Sequence, residues 1–189
     1  MTKRSQIKRH ADRAVPSETV SILSEGTVAH VGFSDGAGPV VIPLLYGFSP
    51  DRPDRLVLHG SRASRLQKLL AGGAPVCVTV TLLDGLVYSR SAKYHSANYR
   101  SAVCFGAARE ISDLSQKKEA MAEMTARYFP SRSSGVDYWP PTPADLNEIT
   151  VVEVLIEESS AKARRGGPAG PGDADGDAPG TAGVLELGI

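Results

Sequence analysis

Between Pro75 and Ser91 the chain reads PVCVTVTLLDGLVYSRS, an alternating, β-branched run that no helix accommodates well. Runs of this kind dominate the sequence. Thr27–Phe33, Pro39–Tyr46, Arg55–Leu58, Tyr99–Ile111 and Thr150–Ile156 all have strand character, and the Asp84-Gly85 pair predicts a tight hairpin between Pro75–Leu83 and Leu86–Ser91. Pro43 inside PVVIPLLY implies an edge strand, a bulge or a ladder left open for a ligand, and Gly106 implies a bulge or a close approach.

Helical spacing is confined to short stretches: Pro16–Leu23, Arg62–Leu70, Leu114–Tyr128, and a capping-box start at Thr142-Pro143-Ala144-Asp145 running to about Ile149. Only one short helix crosses between successive strands. That pattern predicts a mainly β, antiparallel barrel of six to seven strands, not a doubly wound sheet, and the first strand-helix turn carries no GxGxxG.

At 189 residues the chain suits one domain, and none of its apolar runs has the length of a membrane helix. The basic start leads into no apolar stretch of the secretory kind, and Cys77 and Cys104 lie in strand-like runs without metal-ligand spacing. Free thiols and a cytoplasmic setting follow as expectations. With 21 basic and 21 acidic side chains the formal charge is zero, which argues against a nucleic-acid-binding surface over the whole molecule. Lys3, Arg4, Lys8, Arg9 and Arg13 form a basic N-terminal arm, residues 1–15, expected to be solvated. Residues 164–180, rich in Gly, Pro and Asp, read as a flexible linker, and residues 181–189 as a segment able to dock on the barrel. The Asp173–Asp177 cluster lacks the ligand spacing and distal Glu of a calcium loop, so no metal is expected.

One segment carries chemistry. In LVLHGSRASR, Leu56 to Arg65, an apolar strand runs into His-Gly-Ser and a Ser-Arg pair that opens a helix. Backbone N–H groups, the hydroxyls of Ser61 and Ser64 and the guanidinium of Arg65 can converge there on one phosphate, with Gly60 permitting close approach. The alternative is an N-cap with solvated arginines. No Ser/His/Asp, Cys/His or paired-carboxylate set stands out, as expected where a cofactor supplies the electron chemistry.

Taken in order, LVLHGSRASRL, VCVTVTLLDGLVYSRSAKYHSANYRSAVCFG and the closing Ser159-Ser160-Ala161-Lys162 resemble the pyridoxamine 5′-phosphate oxidase-like, FMN-binding split-barrel proteins, in particular their nitroimidazole-resistance branch. The resemblance spans about Pro16 to Lys162. It implies a homodimeric split barrel over residues 16–163, with Ser64 and Arg65 on the FMN phosphate and His59, Gly60 and Ser61 lining the cofactor. It also implies that Val41, Ile42 and Pro43 run along the flavin ring and that Tyr99, Arg100 or Ser101 approaches it. Alternation prevents all three of the last group from serving one site in one subunit, so Arg100 could instead stabilise a dimer. Thr79 could reach the flavin or bond a neighbouring strand.

His59 and His95 are the candidate acid-base groups, His59 better placed to contact the ring and His95 in a polar loop that could protonate substrate. The function implied is reduction of a small acceptor, nitroaromatic or quinone-like. The alternatives are a non-catalytic flavin or haem carrier and a deazaflavin-dependent reductase. The arginine-rich C-terminal segment of the true oxidases is missing, which sets vitamin B6 oxidation aside.

Overall fold

A computed structural model describes residues 4–188; Lys3 of the basic arm and Ile189 of the C-terminal segment lie outside the described residues. Seven strands form one antiparallel sheet: β1 (Val28–Ser34), β2 (Pro39–Leu45), β3 (Arg55–Ser61), β4 (Pro75–Tyr88), β5 (Ser96–Glu110), β6 (Ile149–Arg164) and β7 (Gly183–Glu186). Their order is β2-β1-β4-β5-β6-β3, with β7 added to the far end of β4. Four helices accompany them: α1 (Thr19–Glu25), α2 (Arg65–Ala71), α3 (Leu114–Tyr128) and α4 (Pro143–Glu148). The sheet curls around Val31, Leu56, Leu58, Val78, Val80, Cys104, Val152 and Val154, and α1 and α2 plug the core with Ile22, Leu23, Leu66 and Leu70. This is the split half-barrel that the sequence pattern implies. Strands β2 and β3 are its two margins.

Alternation along the strands explains the two faces. In β4, Val76, Val78 and Val80 are buried while Cys77, Thr79 and Thr81 turn outward, and β2 turns Val41, Pro43 and Leu45 outward in step. Pro43 sits on an edge strand, opposite His30. Helix α3 covers only the outer side of β3 and the start of β6, where Ala120 and Met121 pack with Val57, Ile111, Ile149 and Val151. On the outer face of β2 and β4, Val41, Leu45 and Leu83 are exposed.

The hairpin expected at Asp84-Gly85 does not form. Strand β4 runs straight through, and the register shifts between Leu83 and Gly85, leaving Asp84 as an extra residue in a bulge. A two-residue primed turn needs positive φ, and Gly85 has none. Its missing side chain serves β7 instead, because a Cβ there would lie 3.1 Å from the Leu185 carbonyl oxygen. Asp84 meets Arg100 across the bulge at 2.8 Å. The chain actually reverses through Ser89–His95, and β5 returns from Ser96.

In the N-terminal arm Lys8 and Arg9 are exposed, as expected, while Arg4 finds partners on the sheet. Arg4 pairs with Glu158 at 2.7 Å and with Glu157 at 3.3 Å, its guanidinium lies over Phe105, and Ser5 is buried. The two glutamates on β6 and the aromatic face supply what free solvent would otherwise give these groups. In the Gly/Pro/Asp segment, the Asp173 carboxylate accepts from the Ser89 hydroxyl and from the backbone N–H groups of Arg90 and Gly170. That clasp holds the segment against the β4–β5 reversal before β7 begins.

Gly106 is the close approach that its position in the sequence suggests: a Cβ there would lie 1.8 Å from the carbonyl oxygen of Leu155, beside a bulge whose extra residue, Glu157, is on β6. Backbone must move to admit any side chain. Gly106→Ala is expected to lower stability by about 3 kcal/mol or more, measured by urea denaturation.

Candidate functional site

Strand β3 delivers His59, Gly60 and Ser61 to one end of the barrel, and α2 starts immediately beyond. Ser64 is the N-cap: its hydroxyl oxygen accepts from the Gln67 N–H at 3.1 Å and its own proton stays available. Ser61 accepts from Ala63 N–H at 3.3 Å, and the Arg62 N–H donates to the Glu148 carbonyl, which ties α4 to this corner. Gly60 faces inward onto Gln67. A Cβ at Gly60 would lie 2.8 Å from Gln67 Nε2, so the close approach is to a buried side chain of α2.

Arg65 is largely exposed, with one terminal nitrogen 2.7 Å from Asp35. Asp35 belongs to the β1–β2 turn, where its other oxygen accepts from Ala37 N–H. This ion pair is the contact that sequence reading missed, because nothing in SDGAG marks Asp35 as the partner of a residue thirty positions on. It brings the β3–α2 corner to the Pro39 end of β2. Val41, Ile42 and Pro43 therefore lead directly away from the cradle, with Val41 61% exposed. The guanidinium edge formed by Nε and the second terminal nitrogen makes no ion pair among the described residues.

Two buried polar atoms near Gly60 have no hydrogen-bond partner among the described residues: His59 Nδ1 and Gln67 Oε1. His59 lies on the same side of β3 as Val57, opposite Val151, at the edge of the small apolar cluster under α3. Burial pushes its pKa below the ordinary value, which keeps the imidazole neutral. Burial likewise pushes the Cys104 thiol up to about 12, which removes it as a nucleophile.

The remaining candidates lie elsewhere. Thr79 sits mid-strand on the outer face, level with His30 and Pro43. Tyr99, Arg100 and Ser101 pair with Arg164, Ala163 and Lys162, whereas His59 pairs with Val151 on the same strand β6. Some 40 Å of strand, at about 3.3 Å per residue, separates the two groups. Arg100 is held by Asp84 and Glu25, which raise its pKa, and His95 lies further out still. One chain cannot bring both ends to one small ligand; a second copy could.

A cleft of about 400 Å³ opens between α3 and the Gly47–Arg55 segment, away from all these residues. Its cations are already engaged: Arg52 by Glu123, Arg55 by Asp54 and Glu153, and Arg127 by the Leu23 and Gly26 carbonyls. The basic corner at Arg65 is the better anion cradle.

The fold defines a split-barrel protein whose β3–α2 corner gathers Ser61, Ser64 and Arg65 at the margin of its sheet. Residues 16–163 match the family model for pyridoxamine 5′-phosphate oxidase, and the chain belongs to that family. It is similar to the flavocytochrome Anf3 from Azotobacter vinelandii, with 33% identity, TM-score 0.85, and coverage of 100% of this chain and 86% of that one. The FAD and heme binding protein from Mycobacterium smegmatis is 32% identical, with TM-score 0.81 and coverage of 93% of this chain and 84% of that one. A putative 5-nitroimidazole antibiotic resistance protein from Bacteroides thetaiotaomicron shares the fold at 24% identity and TM-score 0.64, over 79% of this chain and 86% of that one. Among curated protein sequences none matches.

His59 gives a pH signature. Its folded pKa lies below the ordinary 6.5, so the unfolded chain binds the extra proton first and stability falls as pH drops below about 6.5. His59→Asn is expected to flatten the dependence of the urea midpoint between pH 7 and pH 5. The carboxylates held low by arginines, such as Glu153, act in a more acid window, below their ordinary 4.5.

Proposed function

We propose that the protein is a flavin-binding oxidoreductase that works as a homodimer and reduces a small acceptor such as a nitroaromatic or quinone. The observation that carries this reading is the Asp35–Arg65 pair, which sets the basic cradle at the foot of an exposed edge strand. The cradle fits a flavin's phosphate: the Ser61 and Ser64 hydroxyls can donate to it, and Arg65 offers a free two-nitrogen edge. From there the ring would follow Val41–Pro43, where one margin of β2 has main-chain groups unpaired in the sheet. His59 Nδ1 on the outer side of β3 and Gln67 Oε1 on its inner side are buried polar atoms with no hydrogen-bond partner among the described residues.

A bound flavin takes up two electrons from a donor and passes them to an acceptor. The protein's own part is to bind, orient and shield. Ser64 and Arg65 fix one end of the cofactor, and Val41 offers an apolar surface that excludes water. Neutral His59 can accept or donate one hydrogen bond without adding charge. The open face of β2, β1 and β4 would close against a second copy, carrying the partner's Tyr99–Ser101 toward this site. A reducing cytoplasmic location agrees with the two free cysteines.

A second reading has specific support. Two similar structures above 30% identity are a flavocytochrome and a FAD and heme binding protein, which favours a flavin and haem electron carrier with FAD as the flavin. FMN and FAD present the same ring and the same first phosphate, so the cradle serves either.

The test is to add FMN, FAD and a deazaflavin to the purified protein and record what survives gel filtration. Wild-type protein is expected to retain a yellow flavin, and Arg65→Ala to weaken its binding by about 10- to 100-fold, the loss of one charged hydrogen-bonding partner. No retained flavin, or an unchanged Arg65→Ala variant, contradicts the reading. Anaerobic reduction by NADPH and oxidation by a nitroaromatic then separates turnover from a single stoichiometric exchange.

A further inference from the structure

Helix α3 and the loop that follows it enclose a second cleft, of about 330 Å³. Lys118, Met121, Ala122 and Thr125 form its helical wall, at the i, i+3, i+4 and i+7 spacing of a single helix face. Tyr138, Trp139, Pro140 and Pro141 form the wall supplied by the loop. Met121 and Ile149, which also pack on the small apolar cluster under α3, make its floor. The volume is that of a small-molecule site. Ile149 is the strand partner of Ser61, so the cleft lies beside the β3–α2 corner and shares no residue with it.

The loop wall is braced. Gly135 turns at a φ of 87° less five, that is 82°, in the region that glycine tolerates, and its N–H donates to the Tyr138 carbonyl. The Val136 and Asp137 N–H groups both donate to the Ser133 carbonyl. The Asp137 carboxylate accepts from the Ser133 N–H, and its carbonyl accepts from Arg132. Pro140 and Pro141 then fix the backbone beyond Trp139. This frame holds the chain's one tryptophan 91% exposed, with Val136 of the same loop 84% exposed. An indole held out in water by a rigid loop is a cost unless something stacks on it, and rigidity reduces the entropy lost when something does.

The polar groups of the cleft select the sign of its ligand. The Thr125 hydroxyl is spent on the Met121 carbonyl. The Asp145 carboxylate accepts from both the N–H and the hydroxyl of Thr142, and its charge sits at the start of α4, where the helix dipole favours it. Lys118 has no such company: it makes no ion pair among the described residues. An unpaired ammonium therefore stands on a wall that is otherwise aliphatic and faces aromatic rings.

We propose that this cleft binds a small planar aromatic anion, a one- or two-ring carboxylate whose ring stacks on Trp139 and Tyr138 over Met121 and whose carboxylate meets Lys118 Nζ. Each part of the ligand answers one part of the lining: the flat ring the indole and phenol faces, the anion the unpaired ammonium. The site is independent of whatever the Ser61–Arg65 corner holds, so either assignment can fail without the other.

The test uses the full-length protein, with 2-naphthoate titrated by calorimetry and followed in the heteronuclear N–H correlation spectrum, where the one tryptophan gives a single indole resonance. Wild-type protein is expected to bind one naphthoate per chain, the indole resonance moving in step with saturation. Lys118→Gln should weaken naphthoate about tenfold or more, the loss of a charged partner, and leave the neutral analogue 2-naphthalenemethanol unaffected. Trp139→Ala should weaken both ligands, and flavin retention should be unchanged in either variant. Naphthoate binding that leaves the indole resonance unmoved overturns the site, and naphthalenemethanol binding wild-type protein as tightly as naphthoate overturns the role of Lys118. An indole resonance that shifts with protein concentration and not with naphthoate shows a second copy on the cleft and overturns the proposal.

Discussion

The long antiparallel pairing of β5 with β6 is the constraint on which the rest depends. It runs from Tyr99 opposite Arg164 to Glu110 opposite Val152, and it bends at Glu157, an extra residue on β6, beside Gly106, which has no side chain to collide with the Leu155 carbonyl. The bend lets one sheet wrap its own core instead of lying flat, so β2 and β3 end as the two margins of a half-barrel. Every functional residue then has an address on that sheet. The cradle stands where β3 leaves it, Tyr99–Ser101 stand toward the start of β5, and nearly the full length of β6 lies between.

At the cradle, electrostatics and geometry work together. Asp35 is anchored by its own turn, and by holding one nitrogen of Arg65 it spends little of the guanidinium's capacity while fixing where the remainder points. An exposed ion pair of this kind contributes little to stability. Its consequence is positional: it joins a turn of the first hairpin to the start of α2 and so sets Ser61, Ser64 and Arg65 beside an edge strand.

Much of this was legible in the chain. The alternation in PVCVTVTLL and YRSAVCFG gave strands with the correct faces, the Thr142 capping box formed with Asp145 as its spacing implies, and Gly106 is a close approach to the Leu155 carbonyl beside a bulge in β6. The Asp84-Gly85 hairpin failed for a physical reason. A local turn signal was overridden by a tertiary partner, strand β7, that lies a hundred residues away and packs where a Cβ at Gly85 would sit. Arg4, itself exposed, pairs with Glu157 and Glu158 from the far end of the sequence, which no local pattern announces. The Ser64 cap was readable from composition and spacing, while the Asp35–Arg65 contact and the burial of His59 depend on how distant strands meet.

The account turns on the phosphate being what the cradle holds. The most direct measurement compares the dissociation constants of FMN and riboflavin, which share the ring and differ in the phosphate, for the wild-type protein and for Arg65→Ala. The account predicts that wild-type protein prefers FMN by roughly 100-fold, in line with charged hydrogen bonds to one anion, and that Arg65→Ala removes most of that preference. Equal affinity for the two ligands in the wild-type protein would contradict it.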